Sequence, residues 1–220
     1  MRCLMKYEWY KLRHDKLFWI ITMLIMLING VMFAGQDISV DLLAQKLFLT
    51  IVIASLYGTS FMAKDYEDRK ILYEISSGNR KSKILLAKAA MTIVCIEIQL
   101  LIFPLCIIPL VSKSEYREYK IFLVLYVLLG VFLALLSAFF AIVAKNQGIS
   151  IGVTIIFHLI TLLSVNSSSI GLLMAHILPV GATKLVLGNL MTLDKYFFML
   201  LLWDVVLLLL SLICIRKAEF

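Results

Sequence analysis

Six apolar runs of about twenty residues dominate this sequence and leave it few ways to fold. A helix needs about 20 residues to cross a bilayer core about 30 Å thick. Helices also satisfy their own backbone hydrogen bonds, which lipid requires. The runs therefore predict six membrane-spanning helices, of which the second and fifth are at the short limit. They are Leu17–Ala34, Leu47–Ala63, Ile84–Val111, Ile121–Ala144, Ile149–Val165 and Tyr196–Ile215.

Composition excludes a soluble globular domain. Hydrophobic residues make up 62% of the chain and charged residues 16%, whereas soluble domains have about a quarter charged residues. The net charge of +7 fits the cytoplasmic flanks of membrane helices, and the sequence has no basic stripe with interleaved aromatics. We therefore expect a lipid environment and no nucleic-acid partner. The four cysteines have no metal-site or disulfide spacing, so we expect no metal centre.

The distribution of Lys and Arg sets the expected orientation. If the N-terminus is cytoplasmic, the inner segments carry fifteen of these residues and the outer segments six. We predict an all-α, polytopic single domain over residues 1–220, multi-pass in a bacterial plasma membrane, with both termini cytoplasmic. The outer segment 166–195 is apolar, but Pro179 and Gly181 divide it into halves too short to cross. We expect Ile170–Met191 to form a re-entrant hairpin instead of a seventh span.

Two polar segments flank the first predicted spans. Residues 1–16 place Met5, Trp9 and Leu12 on one helical face, which indicates a helix lying on the inner leaflet. Residues 64–83 form the largest inner loop. Its acids are expected to start a helix, an apolar stripe follows, and Ser76, Ser77 and Gly78 are expected to end it. Both segments are equally compatible with plain solvated flanks. The acids and the stripe are Asp65, Glu67, Asp68, Ile71, Leu72 and Ile75.

Polar side chains lie inside several apolar runs. Three ionisable ones are expected near mid-membrane and facing the protein interior, because a charge at the bilayer centre costs at least about 2.5–3.5 kcal/mol. They are compatible with structural hydrogen bonds between helices or with a lining of a substrate path. Asn29 joins them as an uncharged member. The ionisable residues are Glu97, His158 and Asp204.

The sequence resembles the permease subunits of type-2 ATP-binding-cassette exporters. The resemblance rests on an N-terminal helix ending in "KLRHDKLFWI", six spans, the hairpin, and the loop "KDYEDRKILYEISSGNRKSKILLAK". The chain departs from the family at Arg69–Lys70, where a glycine-threonine pair is usual, and this leaves the register of the loop helix open. It has no G-x-x-x-x-G-K-[ST] phosphate loop of its own.

The resemblance implies that a separate cytosolic ATPase, which binds ATP and Mg, seats on the loop. It also implies a second permease chain, the same or related, and export of a peptide, drug or lipid, possible roles including immunity to antimicrobial peptides. The chain itself is then not an enzyme and holds no cofactor. A non-transporting adaptor or sensor, or an intramembrane hydrolase, is the alternative. The residues expected to couple to the ATPase are Asp65, Glu67, Arg69, Ile71, Glu74, Ile75, Ser76 and Ser77.

Overall fold

The computed structural model describes residues 2–35, 39–111, 115–165, 171–187 and 191–217. These residues form α-helices and one 3-10 turn, and they contain no β-strand. The all-α prediction is confirmed. The helices are α1 (Arg2–His14), α2 (Lys16–Phe33), α3 (Val40–Lys46), α4 (Phe48–Glu67), α5 (Lys70–Ser76), α6 (Lys81–Ile107), α7 (Tyr116–Ala144), α8 (Gln147–Val165), α9 (Gly171–Ile177), α10 (Pro179–Leu187) and α11 (Leu193–Lys217), with the 3-10 turn at Ile108–Leu110.

Four of these helices are long and apolar enough to cross a membrane: α2, α6 with its 3-10 turn, α7 and α11. The chain is therefore a multi-pass membrane protein by length and composition. Helices α4 and α8 occupy the two shortest predicted spans. Polar residues such as Ser55 and Thr59 dilute the apolar character of α4, and the apolar part of α8 reaches only from Gln147 to Leu163. Six spans remain a prediction.

Helix α7 lies at the centre of the bundle. It packs against α4, α6, α8 and α11, and its Leu125, Leu129 and Leu133 are fully buried. By contrast, α2, α8 and α11 expose many large apolar side chains. An exposed apolar surface of this kind suits lipid rather than water. At one position α4 and α6 approach closely: a Cβ at Gly58 would lie 2.6 Å from Ile96 Cδ1.

The segment predicted as a re-entrant hairpin contains two short helices, α9 and α10. At seven and nine residues, neither is long enough to cross a bilayer. The break falls at Leu178, because Pro179 begins α10 while Gly181 lies inside it. A proline is well placed at the first position of a helix. The ends of the predicted hairpin, at 166–170 and 188–190, lie outside the described residues.

The described ends of the chain lie at the same end of the bundle. Ile215, near the end of α11, belongs to a buried cluster with Tyr66, Ile71 and Leu85. Glu8 of α1 contacts Lys88 near the start of α6. The topology prediction requires this arrangement, and the side of the membrane stays a prediction.

Candidate functional site

A buried ammonium group is surrounded by three carboxylates at the end of the bundle that holds both described chain ends. Lys88 is 1% exposed, and its Nζ donates to Glu8 Oε1 at 2.5 Å, Asp65 Oδ2 at 2.7 Å and Glu74 Oε1 at 2.9 Å. A lysine ammonium has three N–H donors, so every donor of Lys88 has an acceptor. We call this group, with Lys11, the charged junction.

The junction joins four helices. Glu8 lies in α1, Asp65 in the last turn of α4, Glu74 in α5 and Lys88 two turns into α6. The short helix α5 is covalently joined to α4 and α6 at its two ends. Its side chain Glu74 adds a third attachment, to a buried position inside the bundle. The junction therefore restrains α5 from moving independently of α4, α6 and α1.

A second lysine reduces the surplus negative charge of the junction. Lys11 Nζ donates to both oxygens of Asp65 at 2.7 Å and lies 3.9 Å from Glu8 Oε2. It also sits 4.2 Å from the ring centroid of Phe61, a cation–π contact. Removing one partner from a buried ionic network is strongly destabilising, because it leaves a buried charge uncompensated.

The carboxylates of the junction are not equivalent. Burial raises the pKa of Glu74 above its ordinary value, more than Lys88 lowers it. Asp65 lies two residues beyond the end of the predicted span. Burial opposes its ionisation too, but the ammonium groups of Lys88 and Lys11 together hold its pKa below its usual range. Glu74 is thus the more readily protonated of the two carboxylates.

The acids of the loop do not start a helix, and that prediction is wrong. Asp65 and Glu67 lie in the last turn of α4, where the helix dipole disfavours negative charge. Asp65 is compensated by its two lysines. Glu67 accepts a hydrogen bond from the backbone N–H of Gln147 at 2.9 Å, and so stabilises the first turn of α8. Glu67 therefore lies near the N-terminus of α8, where the helix dipole favours an acid, and not at the N-terminus of α5 as predicted.

Helix α5 occupies the position predicted for the loop helix, but it presents a different face. Ile71 is 1% exposed within the α4–α6–α7–α11 cluster, and Ile75 is half-buried against the same cluster. Ile71 is therefore covered by its own chain, whereas Glu74, which binds Lys88, and Ile75 are only partly covered. The most exposed side chain of α5 is Tyr73, at 73%.

Both ends of α5 are sharp turns. Arg69, just before the helix, has φ 54°, and Gly78, just after it, has φ 84°. The left-handed conformation is unusual for an arginine and ordinary for a glycine that ends a helix. The exposed hydroxyls of Ser76 and Ser77 donate to the carbonyl of Tyr73, so they close the last turn.

Helix α1 packs on α6 through a face that includes Leu12 but not Trp9, and the predicted contact of Trp9 with the inner leaflet stays a prediction. Leu4, Glu8 and Leu12 are buried, at four-residue spacing, while Trp9 is 50% exposed. The centre of this face is therefore the ionic contact of Glu8 rather than an apolar stripe through Trp9. Met5 is half-buried between two clusters.

Two of the predicted intramembrane polar residues form hydrogen bonds between helices. Asn29 Nδ2 in α2 donates to Thr50 Oγ1 in α4 at 2.9 Å. His158 in α8 is 2% exposed and its Nε2 lies 2.5 Å from Ser55 Oγ in α4. These two residues bind α4 to its neighbours, and they match the structural reading of the intramembrane polar groups.

Glu97 and Asp204 are different. Both carboxylate oxygens of Glu97 are buried without a hydrogen-bond partner among the described residues, as is Asp204 Oδ1. Glu97 lies against α7 at Gly130, where a Cβ would come within 2.4 Å of its Oε1. The helix surface therefore makes room for this carboxylate without bonding it.

The Ser55–His158 contact does not resemble an activated nucleophile. Ser55 Oγ donates to the Val52 carbonyl at 2.9 Å, so its hydroxyl proton has an acceptor other than the imidazole. His158 Nδ1 has no partner in the described part of the chain, whereas a catalytic base needs an orienting group. Among the described residues, no group of three or more His, Cys, Asp or Glu is arranged so that it could hold a metal ion.

Sequence reasoning missed Glu8, Lys11 and Lys88 as members of one site. Two signals were available. Lys88 stands inside an apolar run, where a charge needs a partner. Glu8 is the first acid in an N-terminal segment that is otherwise basic up to Asp15. The chain matches no known protein-family model, and no curated protein matches it.

Proposed function

We propose that this chain is the membrane-spanning permease subunit of an ATP-binding-cassette exporter. In this proposal it moves a hydrophobic or amphipathic substrate outward across a bacterial plasma membrane. A separate cytosolic ATPase, which binds ATP and Mg, supplies the energy, and a second permease chain, the same or related, completes the path. The chain itself contributes no phosphate-binding loop.

The charged junction is the observation that carries the proposal. An exporter must transmit the closure of its ATPase to the membrane helices. Helix α5 lies between α4 and α6, and the bonds of Lys88 to Glu74, Asp65 and Glu8 fix it to α4, α6 and α1. A push on α5 is therefore shared among all of these helices instead of being lost in a loose loop.

The outer side of α5 offers a surface for the ATPase. Tyr73 is 73% exposed, and it stands among exposed polar residues of both signs. An exposed tyrosine with a polar rim is typical of the anchor residues of protein interfaces. This surface replaces Ile71, Glu74 and Ile75 as the proposed contact. The exposed polar residues are Glu67, Asp68, Arg69, Ser76 and Ser77.

The two unpartnered acids, Glu97 and Asp204, support the substrate path. Each lies inside a long apolar helix, and among the described residues both oxygens of Glu97 and Oδ1 of Asp204 are buried without a hydrogen-bond partner. A buried carboxyl group without a partner is costly, so it persists where function needs it. A cationic or amide-bearing group of an amphipathic peptide would satisfy these oxygens.

ATP turnover in reconstituted vesicles tests the proposal. The chain is co-expressed with the ATPase encoded beside it and purified as a complex. Glu74→Gln keeps a side chain of the same shape but removes the charge that binds Lys88. We expect the complex to assemble and ATP-driven export to fall at least about tenfold, while Lys83→Gln, which removes an exposed charge outside the junction, has no effect. Export at the wild-type level in Glu74→Gln would contradict the role of the junction.

A further inference from the structure

A cleft opens beside the charged junction. Helix α1 forms one wall, the end of α4 and the first residues of α5 and α8 form the other, and Leu17 of α2 lies at the rim. Its volume is about 460 Å³, within the range of roughly 300–1,000 Å³ typical of small-molecule sites. Aromatic and basic side chains form most of its wall. They include Tyr7, Tyr10, Tyr57, Phe61, Lys64 and Lys70.

The cleft is positively charged. Three lysines and one aspartate line it, and the aspartate is already occupied: Asp15 accepts the N–H of Leu17 and the hydroxyl of Tyr57. Lys11 is bound to Asp65 in the junction. Lys64 is exposed and forms no ion pair within the described ranges, so its ammonium is available to a ligand.

Lys70 is a second cationic side chain of the cleft that an anionic ligand can reach. The Lys70 ammonium pairs with Asp68 at 3.0 Å, and both side chains are about two-fifths exposed. Such an exposed pair is worth little, so an anion can compete for the lysine.

One rim of the cleft continues into an apolar surface. Leu17 lines the cleft, and it begins a stripe on α2 in which Leu17, Ile20 and Leu24 are 49%, 62% and 47% exposed. Their spacing of three and four residues places them on one helical face. Trp19, at the same level, donates its indole N–H to the Arg13 carbonyl at 3.1 Å. A tryptophan bound in this way is typical of a membrane interface.

We propose that this cleft binds the phosphate headgroup of an anionic phospholipid, with an acyl chain along the Leu17–Ile20–Leu24 stripe. The phosphate contacts Lys64 and Lys70, and the hydroxyls of Tyr7 and Tyr10 donate to the remaining headgroup oxygens. The continuity of basic cleft and apolar stripe selects a lipid over a soluble protein, because a protein would leave the stripe uncovered. This inference requires a membrane protein, and it does not depend on the proposed transport.

Native mass spectrometry of the full-length chain in detergent tests this site. The probes are phosphatidylglycerol and phosphatidylcholine with identical acyl chains, titrated against wild type and Lys64→Gln/Lys70→Gln. We expect wild type to prefer phosphatidylglycerol, and the preference to fall by roughly fivefold for each lysine removed. The matched control is Lys83→Gln, an exposed inner-side lysine outside the cleft, which should keep the wild-type preference.

Two outcomes would overturn the proposal. An unchanged preference in the double variant places the anionic lipid elsewhere on the protein. Glycerophosphoglycerol, the headgroup without chains, provides the second arm, with inorganic phosphate beside it. If either competes as strongly as the intact lipid, the cleft binds a soluble phosphate compound and the acyl chain contributes nothing. Lys64 and Lys70 are not buried, so the double variant should fold, which size-exclusion chromatography checks.

Discussion

Two ionisable side chains of helix α6, Lys88 and Glu97, lie nine residues apart and have opposite surroundings. Lys88 is bonded to three carboxylates from three other helices. Glu97 has no bond to either oxygen among the described residues, although Gly130 provides space for it. One side chain is fixed by its partners and the other is only accommodated.

The difference between Lys88 and Glu97 distinguishes a side chain that holds helices together from one whose polar atoms have no partner among the described residues. A buried charge with all its donors satisfied holds helices together, and removing it damages the fold. A carboxyl group without a partner contributes little to the fold and remains free to meet another molecule. The charged junction therefore accounts for how α5 is held, whereas a role of Glu97 and Asp204 in a substrate path stays part of the proposed function.

The largest expected effect is that of Lys88→Met. The change leaves Glu8, Asp65 and Glu74 buried together with only Lys11 to compensate them. We expect a loss of about 3–5 kcal/mol in the free energy of unfolding. Thermal unfolding in detergent measures it, with Lys83→Met as the exposed control. Equal melting temperatures for the two variants would mean that the junction does not hold the helices.

Ile71→Ala should have the next largest effect, and it tests which face of α5 is buried. Ile71 is 1% exposed, so truncation leaves a cavity and costs about 2–4 kcal/mol. Tyr73→Ala, on the exposed face of the same helix, should change stability by less than about 0.5 kcal/mol. Thermal unfolding compares the two, and the reverse order would mean that α5 packs through its other face.

Gly130→Ala tests how Glu97 is accommodated. The added methyl group would overlap the carboxylate, and because that group ends a flexible side chain, we expect a loss of only about 1 kcal/mol. In a Glu97→Ala background the overlap disappears, and Gly130→Ala should be neutral or slightly stabilising, since alanine favours helix. The double-mutant cycle measures this coupling. Additive effects would place Glu97 away from Gly130.

The smallest effect concerns pH. The pKa of Glu74 is raised by burial, so the stability it contributes is present below its ordinary pKa and lost as pH rises through the raised one. The pKa of Asp65 is lowered by Lys88 and Lys11, so its contribution is present above its ordinary pKa and lost as pH falls through the lowered one.

Stability as a function of pH therefore separates the two carboxylates. Glu74→Gln should flatten the curve in the weakly acidic range above the ordinary glutamate pKa. Asp65→Asn should flatten it in the more acidic range below the ordinary aspartate pKa. Melting temperatures in a buffer series provide the measurement, and a change of the same pH range in both variants would contradict the assignment.

Much of the fold follows from the apolar runs, because a run of about twenty apolar residues in lipid satisfies its backbone hydrogen bonds by forming a helix. A helix lies on each of the six runs, and the split of the outer segment by Pro179 is visible in the sequence. Helix α3 was missed. It is seven residues long and begins at Val40, directly after Ser39, whose side chain accepts the N–H of Leu42. So short a helix gives little periodicity to detect.

The site was harder to predict, because its members come from four separate helices. The stripe of Ile71 and Ile75 is evident from spacing, but spacing does not say whether an apolar face packs on its own chain or on a partner. Here it packs on its own chain. The acids Asp65 and Glu67 were assigned to the start of a helix because the dipole argument is local, whereas their partners Lys11, Lys88 and Gln147 are distant in sequence.

Co-purification from membranes tests the central claim most directly. The full-length chain, solubilised in a mild detergent, is compared with Tyr73→Asp, which places a charge on the exposed face of α5 without touching the junction. The account predicts that wild type brings down an ATPase containing the G-x-x-x-x-G-K-[ST] loop in about equal amount, and that Tyr73→Asp loses most of it. Wild type without such an ATPase, or equal recovery by both proteins, would contradict the account.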